Sequence, residues 1–351
     1  MKSPLHIAAG PKALRHLQEN GLQLADIRAM LGASGGPKWL VLNQLDRFLA
    51  PRLAADTRVD VDLLGTSIGS WRFACYAQPD PLAAFDRFES AYFEQAYTAK
   101  PDAREISLEC SRILEAILGE QQAAIVNAEK RRLHTIANRC RPAMLDRHNE
   151  PGKWQLGASA LANAAGRKHL KHFFERILFA PAGSKLPFQE SMFPQENVCM
   201  HTGNLQQALM ATASIPLLMQ AVHDIPGTSG GACVDGGIID YHFDTPLHYD
   251  NGIVLYLHFS PRLVPGWFDK MLPWRRPHAA SLDNVLLITP SQEFIASLPN
   301  ARIPDRHDFV QMHDVQRKAA WRRVLAETER LAEELAQHLE RQQWQEVVQL
   351  A

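Results

Sequence analysis

The sequence predicts an α/β protein: a mostly parallel central sheet flanked by helices. Two observations carry this. Apolar runs of strand length alternate along the chain with segments of helical length. Two of those runs also end in glycine-rich turns that pass directly into a helix, as strands of a parallel sheet must before they can return.

Taken in order, residues 11 to 23 pattern as a short helix and Asp26 to Leu31 as the first buried strand. Gly32-Ala33-Ser34-Gly35-Gly36-Pro37-Lys38 follows and opens a helix that continues from Trp39 to Leu49. Pro37 suits the first helical turn, where its missing N–H costs nothing. The next strand runs from Val59 to Leu64, turns through Gly65-Thr66-Ser67-Ile68-Gly69 and leaves as a helix through Ser70 to Cys75. Residues 80 to 130 are rich in helix (Pro81 to Tyr97, Glu105 to Leu118), and Arg131 to Arg139 alternates as a strand. Residues 154 to 178 read as helical, Asn197 to Thr202 as a strand, and Gly203 to Pro216 as a helix stopped ahead of its proline. Ala232 to Val234 leads into Asp235-Gly236-Gly237, and Ile253 to Phe259 is another strand. Val324, Thr328, Leu331, Leu335 and Leu339 recur at helical spacing, which predicts one long amphipathic helix packed on the domain.

The 351 residues are 46% hydrophobic and 21% charged, with a formal net charge of −1. That is a globular composition sufficient for one large domain or two small ones, with no charge surplus to attract nucleic acid. The N-terminal stretch lacks the apolar core of a secretory signal, and no apolar run has the length of a membrane span. Five scattered cysteines without C-x-x-C pairs fit free thiols in a reducing compartment, so a cytoplasmic location is expected. His169 and His172 have no carboxylate or cysteine on the same turn and read as part of a solvated basic face. No metal or cofactor is expected.

The chemistry centres on G-x-S-x-G. Strand, sharp turn and helix around Ser67 form a nucleophile elbow, with Gly65 and Gly69 where the strand and helix backbones nearly touch. The helix N-terminus behind the serine favours a developing negative charge. Chance supplies about 0.1 such match in a chain of this length, yet the pattern occurs three times, around Ser34, Ser67 and Ser229. Gly227 to Gly231 has no helix after it and reads as a loop. Around Ser34 a strand precedes and a helix follows, so Ser34 competes with Ser67. Neither a phosphate-binding loop nor a dinucleotide fingerprint fits that glycine turn, because Pro37 and Trp39 stand where the former needs Gly and Ser or Thr. An anion cradle of bare backbone N–H groups remains.

Four blocks stand in fixed order: the glycine turn with Lys38, the Ser67 elbow, Ala211-Thr212-Ala213-Ser214-Ile215-Pro216, and Asp235-Gly236-Gly237. Together they resemble the patatin-like phospholipases over about residues 26 to 260. The resemblance implies a three-layer fold with a helical insertion at about 80–130 and a catalytic domain over 26–260. Residues 261–351 would form an extension packed on it. It implies that Ser67 is the nucleophile and Asp235 its base, with Gly35, Gly36 and Lys38 at the oxyanion hole and Gly236 and Gly237 shaping the aspartate turn. Ala33, Ser34 and Trp39 depart from the family's usual loop, and Ser34, where the family has glycine, is placed in the hole. The reaction implied is cleavage of lipid acyl esters. Chain order leaves open a triad using His242, His248 or His258, and an inactive lipid-binding protein is the third reading. In residues 262–277, Trp267, Trp274, Arg275 and Arg276 mix aromatic and basic side chains in a way that suits peripheral contact with a lipid surface.

Overall fold

A computed structural model describes residues 3–184, 186, 192–245, 247, 249 and 251–350. Its strands are β1 (Leu5–Ala9), β2 (Ile27–Gly32), β3 (Val61–Thr66), β4 (Arg131–Cys140), β5 (Phe174–Ala180), β6 (Gln195–Cys199), β7 (Val222–His223), β8 (Ala232–Val234), β9 (Ile253–Leu257), β10 (Val285–Pro290) and β11 (Val348–Gln349). They form one sheet in the order β11-β1-β10-β9-β2-β3-β4-β5-β6, with β8 joining β4 and β7 joining β8. The run β10-β9-β2-β3-β4 is parallel, while β1 and β5 pair antiparallel to their inner neighbours. Every residue of β3, β9 and β10 is buried, the signature of parallel strands covered on both faces.

The covering helices are α1 (Pro11–Asn20), α2 (Asn43–Ala55), α3 (Ile68–Tyr76), α4 (Pro81–Phe93), α5 (Ala103–Leu118), α6 (Gln122–Val126), α7 (Lys153–Ala165), α8 (Leu205–Ala211), α9 (Gln292–Ser297), α10 (Asp308–Gln311), α11 (Asp314–Glu327) and α12 (Glu329–Arg341). Asp80 and Asp102 cap α4 and α5 by accepting the N–H groups of Ala83 and Glu105. Trp39, Phe88, Tyr92 and Trp321 stack edge and face, tying the turn after β2 to α4 and α11.

Three sequence expectations need correction. Residues 154–178 are not one helix: α7 ends at Ala165, Gly166 adopts an extended φ of 165°, and Phe174–Ala180 is β5. It pairs antiparallel with β4 and parallel with β6, so tertiary pairing overrides the helical pattern. The C-terminal helix is broken in two at Thr328, which is buried and hydrogen-bonds the Leu325 carbonyl through its hydroxyl. Asp26 to Leu31 is not the first strand, because β1 precedes it and completes the sheet beside β10.

Candidate active site

Sheet topology brings two distant residues together. β3 pairs with β4 up to Ile136, and beyond that point β8 takes over the same edge of β4, running the other way through Asn138 and Arg139. β3 and β8 therefore meet end to end. Ser67 is the first residue past one of them and Asp235 the first past the other. The site lies at the carboxyl ends of the parallel strands, where open α/β sheets place their ligands.

Close backbone packing sets the elbow. A Cβ on Gly69 would lie 2.0 Å from the Gly32 carbonyl oxygen, so β2 and α3 can approach this closely only with glycine there. Gly65 pairs with Gly32 across the strands, directly below this contact. Ser67 adopts φ 51° and ψ −129°, a conformation that costs a non-glycine residue on the order of 1–3 kcal/mol. The surroundings hold it there. The Ser67 N–H donates to the Thr212 hydroxyl at 2.9 Å, and its carbonyl accepts from the Ser70 N–H at 3.0 Å. Thr212 in turn donates its hydroxyl to the Ile136 carbonyl at 2.5 Å.

The same block fixes the aspartate. The carbonyls of Thr212 and Ser214 accept the N–H groups of Gly236 and Asp235, at 3.0 and 2.9 Å. The Asn138 side-chain amide donates to the carbonyls of Asp235 and Gly236. A Cβ on Gly236 would collide with the Ile136 carbonyl at 2.1 Å, and one on Gly237 would meet the Ser34 hydroxyl at 2.3 Å. α8 stops at Ala211, well short of Pro216, and the residues after it serve both sides of the site. Sequence reading marked this block but not its task, because Thr212 and Asn138 act through contacts made only in the folded sheet.

Asp235 is 8% exposed. Its carboxylate accepts the Gly237 N–H at 2.6 Å, and the Ser67 side chain lies close enough to act on its charge. Burial outweighs the Gly237 bond, the neighbouring Ser67 side chain and the more distant charges of Arg306 and Lys270, and raises its pKa to about 6. No cation lies within ion-pairing distance of it among the described residues. The other buried carboxylates nearby are paired: Asp240 takes two bonds from Arg176, and Asp269 is held by Arg167 and Asn163.

The glycine turn after β2 lies beside the elbow because β2 and β3 are neighbours. Gly36 has φ 55°, and neither the Gly35 nor the Gly36 N–H donates to another described residue. Two residues assigned to the hole are engaged elsewhere. The Ser34 N–H donates to the Tyr241 carbonyl at 3.1 Å and its hydroxyl to Thr66 at 3.0 Å, so Ser34 braces the loop. The Lys38 ammonium is ion-paired with Asp305. Sequence reading assigned C-terminal cations to a lipid surface and placed neither Lys270 nor Arg306 at the site. Arg306 lies against Gly36, and Lys270 sits 3.8 Å from the centre of the Tyr241 ring. Local desolvation, then repulsion from Arg306 and Lys38, lowers the Lys270 pKa to about 7.

His242 and His258 are buried and make no hydrogen bond to Ser67 or Asp235. The His242 Nδ1 accepts the Val264 N–H, and the His258 Nδ1 lies 2.6 Å from the Ser260 carbonyl oxygen. Burial pushes the His258 pKa down to about 3 and that of His242 well below the usual range. His248 lies outside the described residues. His169 and His172 stack on each other, and no group of side chains among the described residues could hold a metal ion. In the 262–277 stretch, Trp267 is half-buried against Phe268, and Arg275 donates to the Asn163 carbonyl. Met271, Trp274 and Arg276 face outward. No helix among the described residues is long and apolar enough to cross a membrane.

A mostly parallel sheet that presents a serine on a strand–turn–helix elbow, with an aspartate at the end of a reversed strand, defines an α/β protein of the nucleophile-elbow class. The profile of the patatin-like phospholipases matches residues 41–247, and the chain belongs to that family. Among solved structures, human GIVD cytosolic phospholipase A2 aligns over 98% of this chain and 66% of its own, at 12% identity and a TM-score of 0.35. No curated protein sequence matches.

Proposed function

We propose that this protein is a serine acyl hydrolase that cleaves lipid acyl esters through Ser67 and Asp235. The observation that carries this reading is the Ser67 elbow brought beside Asp235, a buried carboxylate without an ion-pair partner among the described residues. Ser67 Oγ attacks the ester carbonyl carbon while its proton passes to Asp235. The carbonyl oxygen becomes an oxyanion facing the Gly35 and Gly36 N–H groups and the N-terminus of α3. Collapse breaks the ester C–O bond. The departing alcohol takes the proton from Asp235 and leaves the acyl group on Ser67. Water then gives a proton to Asp235 and attacks the acyl carbon, and the proton returns to Ser67 as the acid departs.

An aspartate with its ordinary pKa of about 3.9 is a weak base toward a hydroxyl. Raised to about 6, Asp235 is stronger and still largely ionised at neutral pH. The family supplies the substrate class, a lipid acyl ester. The test is fluorophosphonate labelling followed by peptide mapping, with turnover of a short-chain ester measured in parallel. An adduct on Ser67 with ester turnover is the expected result. Folded protein that neither labels nor turns over ester refutes the reading and leaves a lipid-binding role.

A further inference from the structure

The outer surface beside the site is apolar where a soluble surface normally is not. α7 turns Trp154, Ala158 and Leu161 outward, with Trp154 90% and Leu161 76% exposed. The Trp267–Met271 turn packs alongside α7 and is fastened to it by buried groups: Asp269 accepts from Asn163 and Arg167, and Arg275 donates to the Asn163 carbonyl. From this fastened strap Met271 and Trp274 project with 84% and 70% exposure. Four of the six large apolar side chains at 70% exposure or more among the described residues thus lie on α7 and the strap packed against it, so these are not scattered single exposures.

Charge decides what covers this face. Residues 151–174 carry Lys153, Arg167, Lys168 and Lys171 and no acidic side chain, and residues 270–282 carry Lys270, Arg275 and Arg276 and none either. Lys153, Lys168, Lys171 and Arg276 are exposed. The chain as a whole has a net charge of −1, so this one-sided collection is local. Aromatic and aliphatic groups that enter the headgroup region, accompanied by the exposed Lys153, Lys168, Lys171 and Arg276, complement an anionic bilayer. Lys270 adjoins Met271 and also lies close enough to Asp235 to act on its charge, so the face borders the mouth of the site.

We infer that α7 and the strap carrying Met271 and Trp274 form a docking face for an anionic membrane surface, which presents the Ser67 site to lipid in that surface. This rests on the acyl-hydrolase reading for its purpose, but binding can be tested apart from it. Co-sedimentation is measured with vesicles of phosphatidylcholine alone and of equal parts phosphatidylcholine and phosphatidylglycerol. Wild type and Ser67→Ala should both sediment with the anionic vesicles, and added salt should release them. The pair Trp154→Ser with Trp274→Ser, and separately the triple change Lys153→Glu, Lys168→Glu and Lys171→Glu, should each weaken anionic binding at least tenfold. Turnover of a soluble short-chain ester should stay within about twofold of wild type, which also shows that the variants fold.

Failure of wild type to sediment, or undiminished binding by both variants, overturns the inference. So does a dimer seen by light scattering that Trp154→Ser dissociates, because a second copy would then cover the face. A protein that binds vesicles but turns over no ester refutes the acyl-hydrolase reading and leaves the face standing. One that turns over ester but ignores vesicles does the reverse.

Discussion

At the contact between α2 and α3, Asp46 receives two bonds from the Arg72 guanidinium at 2.7 Å and one from the Tyr76 hydroxyl at 2.9 Å. Beside the elbow, Asp235 receives one backbone N–H, from Gly237, and has no guanidinium in hydrogen-bonding reach. Both carboxylates are shielded from water. A buried carboxylate held by a bidentate arginine has its charge neutralised in place and serves packing. One left with few donors binds protons more tightly, and only that kind can take a proton from a hydroxyl near neutral pH. The contrast recurs a few residues downstream, where Asp240 is saturated by Arg176 and so holds the turn that carries Asp235.

Substitutions can break this contrast from either side. The largest effect is expected for Ser67→Ala, which removes the attacking oxygen and little volume: ester turnover and probe labelling should vanish while the denaturant midpoint holds. Asp235→Asn should lower kcat at least a thousandfold, because an amide of the same shape cannot take the proton. Its stability should move the other way. The folded state holds the Asp235 proton up to about pH 6 and the unfolded chain only to about 3.8, so the wild type loses stability as pH rises through that window. Asp235→Asn should therefore be more stable than wild type at pH 8, by up to about 3 kcal/mol, and no more stable at pH 3. Thermal melts at the two pH values read this directly.

Asp46→Asn tests the opposite pole. It leaves the Arg72 guanidinium buried without a counter-charge and should cost about 3–5 kcal/mol of stability, with kcat per folded molecule within tenfold of wild type. Smallest of all is Ser34→Ala, which removes one hydrogen bond to Thr66, worth about 1 kcal/mol, and should keep probe labelling. Loss of labelling there with activity retained in Ser67→Ala would mean that Ser34 carries the chemistry.

The elbow was legible in the sequence because its constraint is local. Gly65 is required by Ser70 and Gly69 of its own turn and helix, so that part of the spacing is written along the chain, while Gly69 also makes room for the Gly32 carbonyl of the neighbouring strand. Asp235 was legible only through the order of the four blocks, since an aspartate before glycine is otherwise an ordinary turn. Thr212 was marked only as part of its block and Asn138 gave no signal, because their partners come from strands and turns far away in sequence. β5 was misread for the same reason: Phe174–Ala180 becomes a strand by pairing with β4 and β6. The placements of Ser34 and Lys38 followed the family pattern, and the structure diverts them to Thr66 and Asp305, the second a residue in the extension beyond the matched region. The extension over 261–351 also shares the sheet through β10 and β11, so we propose that it and the matched region form one folding unit.

The central claim is that Asp235, unassisted by histidine, is the base for Ser67. The most direct test is the rate of fluorophosphonate labelling against pH, with the modified residue identified by mass spectrometry. A single adduct on Ser67, formed at a rate that rises with one ionisation near pH 6 and that collapses in Asp235→Asn, is the predicted result. An adduct on another serine, or a Ser67 rate that survives Asp235→Asn and falls instead when His242 or His258 is replaced, would contradict it.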